Sequence, residues 1–129
     1  MVVDHTGIDL IAYDHSTDQR FSLTVKSRTR NIAKETTAIN VFSSRKNDLQ
    51  KLLDACKAFT CEPWIAIYVE TADFTDVYLT SLENYDNKYR SKKGGVIHSW
   101  RMREKDTQRY DEDPSVKHIK IKFRATNWN

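Results

Sequence analysis

Two prolines, three glycines and two cysteines in 129 residues leave this chain short of the residues that bend, punctuate or crosslink a fold. Cys56 and Cys61 have no companion cysteine pair and no histidine at a zinc-ligand spacing. That excludes a disulfide framework and a zinc module, and implies two reduced, structural thiols. No Pro/Gly/Ser-rich tract marks a linker and no segment repeats, so residues 1–129 read as a single domain with a small core. Also missing is any apolar run near the ~20 residues needed to cross a bilayer. The opening MVVDHTGIDL lacks the basic-then-apolar order of a signal peptide. The expectation is a cytoplasmic protein with no membrane partner.

What the chain does carry is charge: 30% of its residues, with a net +3. That mildly basic balance permits a polyanionic partner without demonstrating one. Local clustering is more informative. Lys88, Arg90, Lys92, Lys93, Arg101, Arg103 and Lys105 stand against Glu104 alone, with Tyr85, Tyr89 and Trp100 nearby. Two readings fit this run: a phosphate-contacting surface with aromatic platforms, or a solvated helix end and loop. The four histidines share no metal-ligand spacing and read as structural or solvated.

Hydrophobic periodicity supplies the elements. Residues 7–13 and 20–27 alternate as strands around the turn-prone DHSTDQ, which makes a hairpin; 28–36 reads as a basic loop, and TTAINVF (36–42) as a third strand. RKNDLQKLLDACKAF places Leu49, Leu52, Leu53, Cys56 and Phe59 at helical spacing, with Asn47 or Asp48 available as the N-cap. WIAIYVE (64–70) has the composition of a strand buried on both faces, and DVYLTSL (76–82) reads as its hairpin partner. A short helix over 83–91, a strand at VIHSW, a helix over 102–110 and a final strand HIKIKFR complete the pattern. In that last strand Ile119, Ile121 and Phe123 are expected inward, and Lys120, Lys122 and Arg124 outward. The predicted class is α/β (α+β): a central mixed sheet with flanking helices.

The opening hairpin brings a charge pair together. With its turn near residues 16–18, antiparallel partners have numbers summing to about 33–35, so Asp9 falls opposite Thr24 or Lys26. Alternation then places Ile8, Leu10 and Ala12 with Phe21, Leu23 and Val25 on one face, and Asp9 with Thr24 and Lys26 on the other. Taken alone, Asp9 and Lys26 make an ordinary cross-strand ion pair.

GIDLIA followed by LTVKSR also resembles the PD-(D/E)XK nuclease superfamily, in its small endonuclease-like and resolvase-like branches. That signature is an Asp on one strand, a hairpin, and a second strand ending in acid, any residue, Lys. The likeness covers roughly the first 85 residues, since a helix, PWIAIYVE and VYLTSL follow in similar order. The resemblance implies a restriction-endonuclease-like fold in which Asp9 and the Val25 carbonyl hold Mg²⁺ or Mn²⁺. It further implies that Thr24 stands at the second acidic position and that Lys26 is the catalytic cation. Such an ion keeps several waters, one of which attacks phosphorus. Two departures stand out. Thr24 replaces an acid, with Glu70 or Glu35 as candidate substitutes, and the family's leading helix is not found in the eight residues before Asp9. An uncovered sheet flank favours a homodimer.

The leading expectation is therefore a metal-dependent nuclease hydrolysing DNA phosphodiester bonds, with Arg28, Arg30, Lys34, Arg90, Lys92 and Lys93 contacting the nucleic acid. The alternative is a catalytically inactive nuclease-fold module that binds nucleic acid or mediates oligomerisation.

Overall fold

The computed structural model describes residues 7–29, 38–43, 47–71, 73–90 and 97–122. Arg30, Lys34, Glu35, Lys92, Lys93, Phe123 and Arg124 lie outside the described residues. Along the chain run β1 (Leu10–Asp14), β2 (Gln19–Thr29), β3 (Ala38–Ser43), α1 (Asp48–Phe59), β4 (Glu62–Glu70) and β5 (Phe74–Ser81). They are followed by α2 (Leu82–Lys88), β6 (Ile97–Arg101), α3 (Glu104–Asp111) and β7 (Val116–Lys122). Five strands form a mixed sheet in the order β1-β2-β4-β5-β7, while β3 and β6 pair separately. The α+β class with a mixed sheet is as expected. No described helix is long and apolar enough to cross a membrane.

The hairpin closes over residues 15–18, with Asp14 opposite Gln19. Asp14 Oδ1 accepts from the Ser16 N–H at 2.9 Å and its hydroxyl at 2.7 Å, and Asp18 takes a positive φ of 58°. These are the local side-chain bonds and left-handed backbone that Asp and Ser supply in turns. β2 runs on to Thr29, so the head of the expected basic loop is strand.

From β2 the chain crosses through β3 and α1 into β4, which lies parallel to β2 with Thr24 level with Ile65 and Lys26 level with Ile67. A parallel pair needs such a crossover. β4 is flanked on both sides by β2 and β5, which explains its near-continuous apolar composition. Ile65, Ile67 and Val69, all 1% exposed or less, join one cluster with Leu52, Ala55 and Cys56 of α1, Tyr85 of α2, Ile39 and Phe42 of β3, and Trp100 of β6. Leu53 is 40% exposed and stands outside it.

α1 starts after Asn47, whose φ of 55° is left-handed and whose side chain makes no capping bond. Its end is closed by Cys61 N–H donating to the Cys56 carbonyl at 2.9 Å, with Thr60 in the left-handed region at φ 55°. Cys56 and Cys61 are free thiols, and burial pushes both above the usual thiol range. One expectation fails in β7: Ile119 and Ile121 are 51% and 46% exposed rather than inward. β7 is an edge strand, and its alternation records two exposed faces instead of one buried one.

Candidate functional site

The site suggested by the sequence lies where the chain enters β1. Leu10 pairs with Leu23, yet the Asp9 N–H also donates to the Leu23 carbonyl at 2.9 Å. Two residues thus oppose one, the arrangement of a β-bulge, and the alternation of faces resets there. Ile8 is accordingly 2% exposed and packs in the core, whereas Asp9 and Leu10 are both exposed. The strict alternation expected for residues 8–12 does not hold. The bulge follows Gly7, whose φ of 79° is open to glycine at no steric cost.

Asp9 and Val25 are brought together: Asp9 Oδ2 accepts the Val25 backbone N–H at 2.6 Å. Thr24 turns the other way. It is 3% exposed, and its hydroxyl donates to the Gly7 carbonyl at 2.8 Å. Lys26 is half-buried beside Ile67, and no ion pair within 4.0 Å joins it to Asp9 among the described residues. The register explains why, since Asp9 stands against Leu23, three residues before Lys26. The simple cross-strand ion pair is therefore not formed.

Among the described residues the donors available to the metal implied by the family resemblance are Asp9 and the Val25 carbonyl. One carboxylate and one backbone carbonyl are a thin coordination sphere for Mg²⁺, which prefers carboxylates and waters in octahedral array. Thr24 is committed to Gly7. Glu70 is level with Thr29, five positions along β4 from Ile65. That is about 16 Å away at strand rise, on the opposite face by alternation. Among the described residues no group of three or more His, Cys, Asp or Glu side chains is placed to hold an ion.

Three cations of the basic run 88–105 are paired among the described residues. Lys88 Nζ pairs with Asp113 at 3.2 Å, Arg90 with Asp86 at 3.3 Å, and Arg103 with Asp106 at 2.8 Å. Tyr85 and Trp100 are fully buried; with Tyr89 and Tyr110 they form an aromatic cluster with ring centroids 4.7 to 6.1 Å apart. These rings anchor the core and offer no open stacking platform.

Free cations are found elsewhere. Arg28 on β2 and Lys120 on β7 fall on one row across the sheet, Arg28–Val69–Asp76–Lys120. Three strand spacings separate their backbones by about 14 Å. Lys26 precedes Arg28 on the same face, and Lys122 extends the row beside Phe74. Among the described residues none of these four has a carboxylate within 4.0 Å, and Lys120 Nζ sits 4.1 Å from the Phe74 ring centroid. The outward lysines of β7 are legible in the sequence; their alignment with Arg28 is not, because it is set by the order of strands.

Two polar centres lie outside the sequence expectations. Asp113 gathers Asn84 Nδ2 at 3.2 Å, Lys88 Nζ at 3.2 Å, the Ser115 N–H at 2.9 Å and the Tyr89 hydroxyl. Burial alone would raise its pKa, but these four donors together hold the carboxyl well below the usual carboxylate range. The D-P-S turn sequence is the available signal for the Ser115 bond. His118 stacks on Tyr78 at 4.3 Å, with Nε2 2.7 Å from Asp76 and Nδ1 2.8 Å from Asp111. Both bonds are donated at once only by the doubly protonated ring.

No protein-family model, no curated protein and no solved structure matches the chain.

Proposed function

We propose that this chain is a nucleic-acid-binding module on a nuclease-like scaffold, one that has lost the metal-dependent hydrolysis implied by its motif. The scaffold reading is supported by the hairpin, helical crossover and parallel strand. The observation that carries the loss is Thr24: its hydroxyl is spent inside the protein, and among the described residues no second carboxylate takes its place. Binding rests on Arg28 and Lys120, level with each other across the sheet, and on Lys26 and Lys122 beside them on their strands, none with an ion-pair partner among the described residues. Cations at such spacing contact backbone phosphates without reading bases, so duplex DNA of any sequence is the expected ligand.

A second reading is favoured by the 2.6 Å bond between Asp9 and the Val25 N–H. It is the Mg²⁺- or Mn²⁺-dependent endonuclease with Asp9 and Val25 at the ion and Lys26 as the catalytic cation.

One experiment separates them. Supercoiled plasmid is incubated with the protein in Mg²⁺ and in Mn²⁺, with EDTA and Asp9→Ala as controls, beside a DNA-binding titration at several salt concentrations. Salt-dependent binding without nicking is the expected result. Nicking lost with both chelator and mutation establishes the endonuclease instead, and no binding at low salt overturns both.

A further inference from the structure

The two edges of the main sheet are built differently. On β7 the exposed Lys117, Lys120 and Lys122 interrupt the apolar residues. Lysines at an edge repel a second strand. β1 carries a single charge, Asp14 at its end. It ends the sheet on the other side, and the sequence Leu10-Ile11-Ala12-Tyr13 holds no charge. Leu10 on one face and Ile11 and Tyr13 on the other are 55%, 45% and 44% exposed. Apolar side chains thus stand on both faces of a strand whose outer backbone groups have no partner strand among the described residues.

We propose that β1 pairs antiparallel with β1 of a second copy of this chain, about a two-fold axis through Ala12, joining two five-stranded sheets into one. Two features point to a second copy rather than an unrelated strand. The register centred on Ala12 engages all of Leu10–Asp14 and sets Ile11 of each copy opposite Tyr13 of the other, an aromatic and β-branched cross-strand pair made twice. The contact is closed, since an isologous interface uses up both copies' edges and stops at two. On the face shared by Leu10 and Ala12 the joined sheet continues into a groove of about 170 Å³ lined by Ala12, Phe21, Leu23, Trp64, Leu79 and Lys117.

The size of the contact sets its strength. Three large side chains, each half exposed, offer on the order of 300 Å² per copy. That is well below the roughly 800 Å² per partner of a standard stable interface. The dimer is therefore reversible and concentration-dependent. It does not depend on nucleic-acid binding and stands if that reading fails.

The test is sedimentation of the full chain between about 1 μM and about 1 mM, the span in which contacts of this size associate. The average mass rises from one chain toward two, and Ile11→Lys, with a melting curve like the parent's, holds it at one. In a Cys61→Ser background, Ala12→Cys is then oxidised with oxidised glutathione, which accepts the two electrons and leaves as thiols. The two thiols introduced at position 12 lie within disulfide reach across the axis. A covalent dimer forms with Ala12→Cys and not with Gln50→Cys, placed on exposed α1. A monomer throughout overturns the proposal, as does dimerisation that survives Ile11→Lys. Mass climbing past two chains also overturns it, since that signals head-to-tail addition of β1 to β7.

Discussion

Replacing Thr24 by valine keeps the β-branch and nearly the shape of a side chain that is 3% exposed, and removes one hydroxyl. The lost interaction is the 2.8 Å bond to the Gly7 carbonyl. A net hydrogen bond contributes about 1 kcal/mol, and the carbonyl left without its partner adds up to about 1 more. The expected loss is thus about 1–2 kcal/mol, read as a lower urea midpoint at unchanged slope. In a chain of this length that lowers the melting temperature by roughly 4–8 °C. Thr24→Ser keeps the hydroxyl and sheds a methyl, costing about 1 kcal/mol of burial. Thr24→Glu would restore the family's acid, but at this depth it buries an unpaired charge and costs several kcal/mol. A valine variant as stable as the parent would refute the reasoning, because the hydroxyl would then be free to serve a ligand.

Three further outcomes follow from the same geometry. Asp113→Asn leaves Lys88 and the buried polar groups without their anion and costs about 3 kcal/mol at neutral pH by denaturant unfolding. The Asp113 carboxyl is depressed in the folded state, so its contribution is complete above about pH 4, the unfolded value, and is lost as pH falls further. The stability gap between parent and variant should close on acidification, and a gap constant down to about pH 2 would contradict the assignment. Thr60→Gly relieves a β-branched residue at φ 55° and should stabilise the chain by about 1 kcal/mol in the same assay. Arg28→Ala and Lys120→Ala should each weaken DNA binding evenly across sequences and flatten the salt dependence by about one phosphate contact; sequence-selective losses would argue against backbone contacts.

The elements themselves are legible from the chain. The hairpin turn at residues 15–18, the α1 helix and the buried character of β4 all follow from local chemistry: turn residues, apolar spacing of 3.6, and a β-branched run. So does a pairing sum near 33 for β1 and β2. What periodicity cannot carry is the resetting of faces at a bulge. Ile8 and Asp9 exchange sides because one extra residue stands against Leu23, and nothing in GIDLIA marks it except the glycine. Nor can alternation distinguish a half-buried strand from an edge strand solvated on both faces, which is why Ile119 and Ile121 are expected inward and found exposed.

The sequence by itself set out an α+β pattern with a mixed sheet, a hairpin that brings Asp9 near Thr24 and Lys26, and basic stretches at 26–34 and 88–105. Tertiary structure decided which of those residues are at liberty. It gave Thr24's hydroxyl to Gly7 and Lys88 to Asp113. It left Arg28 and Lys120 on one row without an ion-pair partner among the described residues. The reason is physical: hydrogen bonds and ion pairs between residues tens of positions apart depend on strand order and register, and those are fixed only when the long-range contacts form.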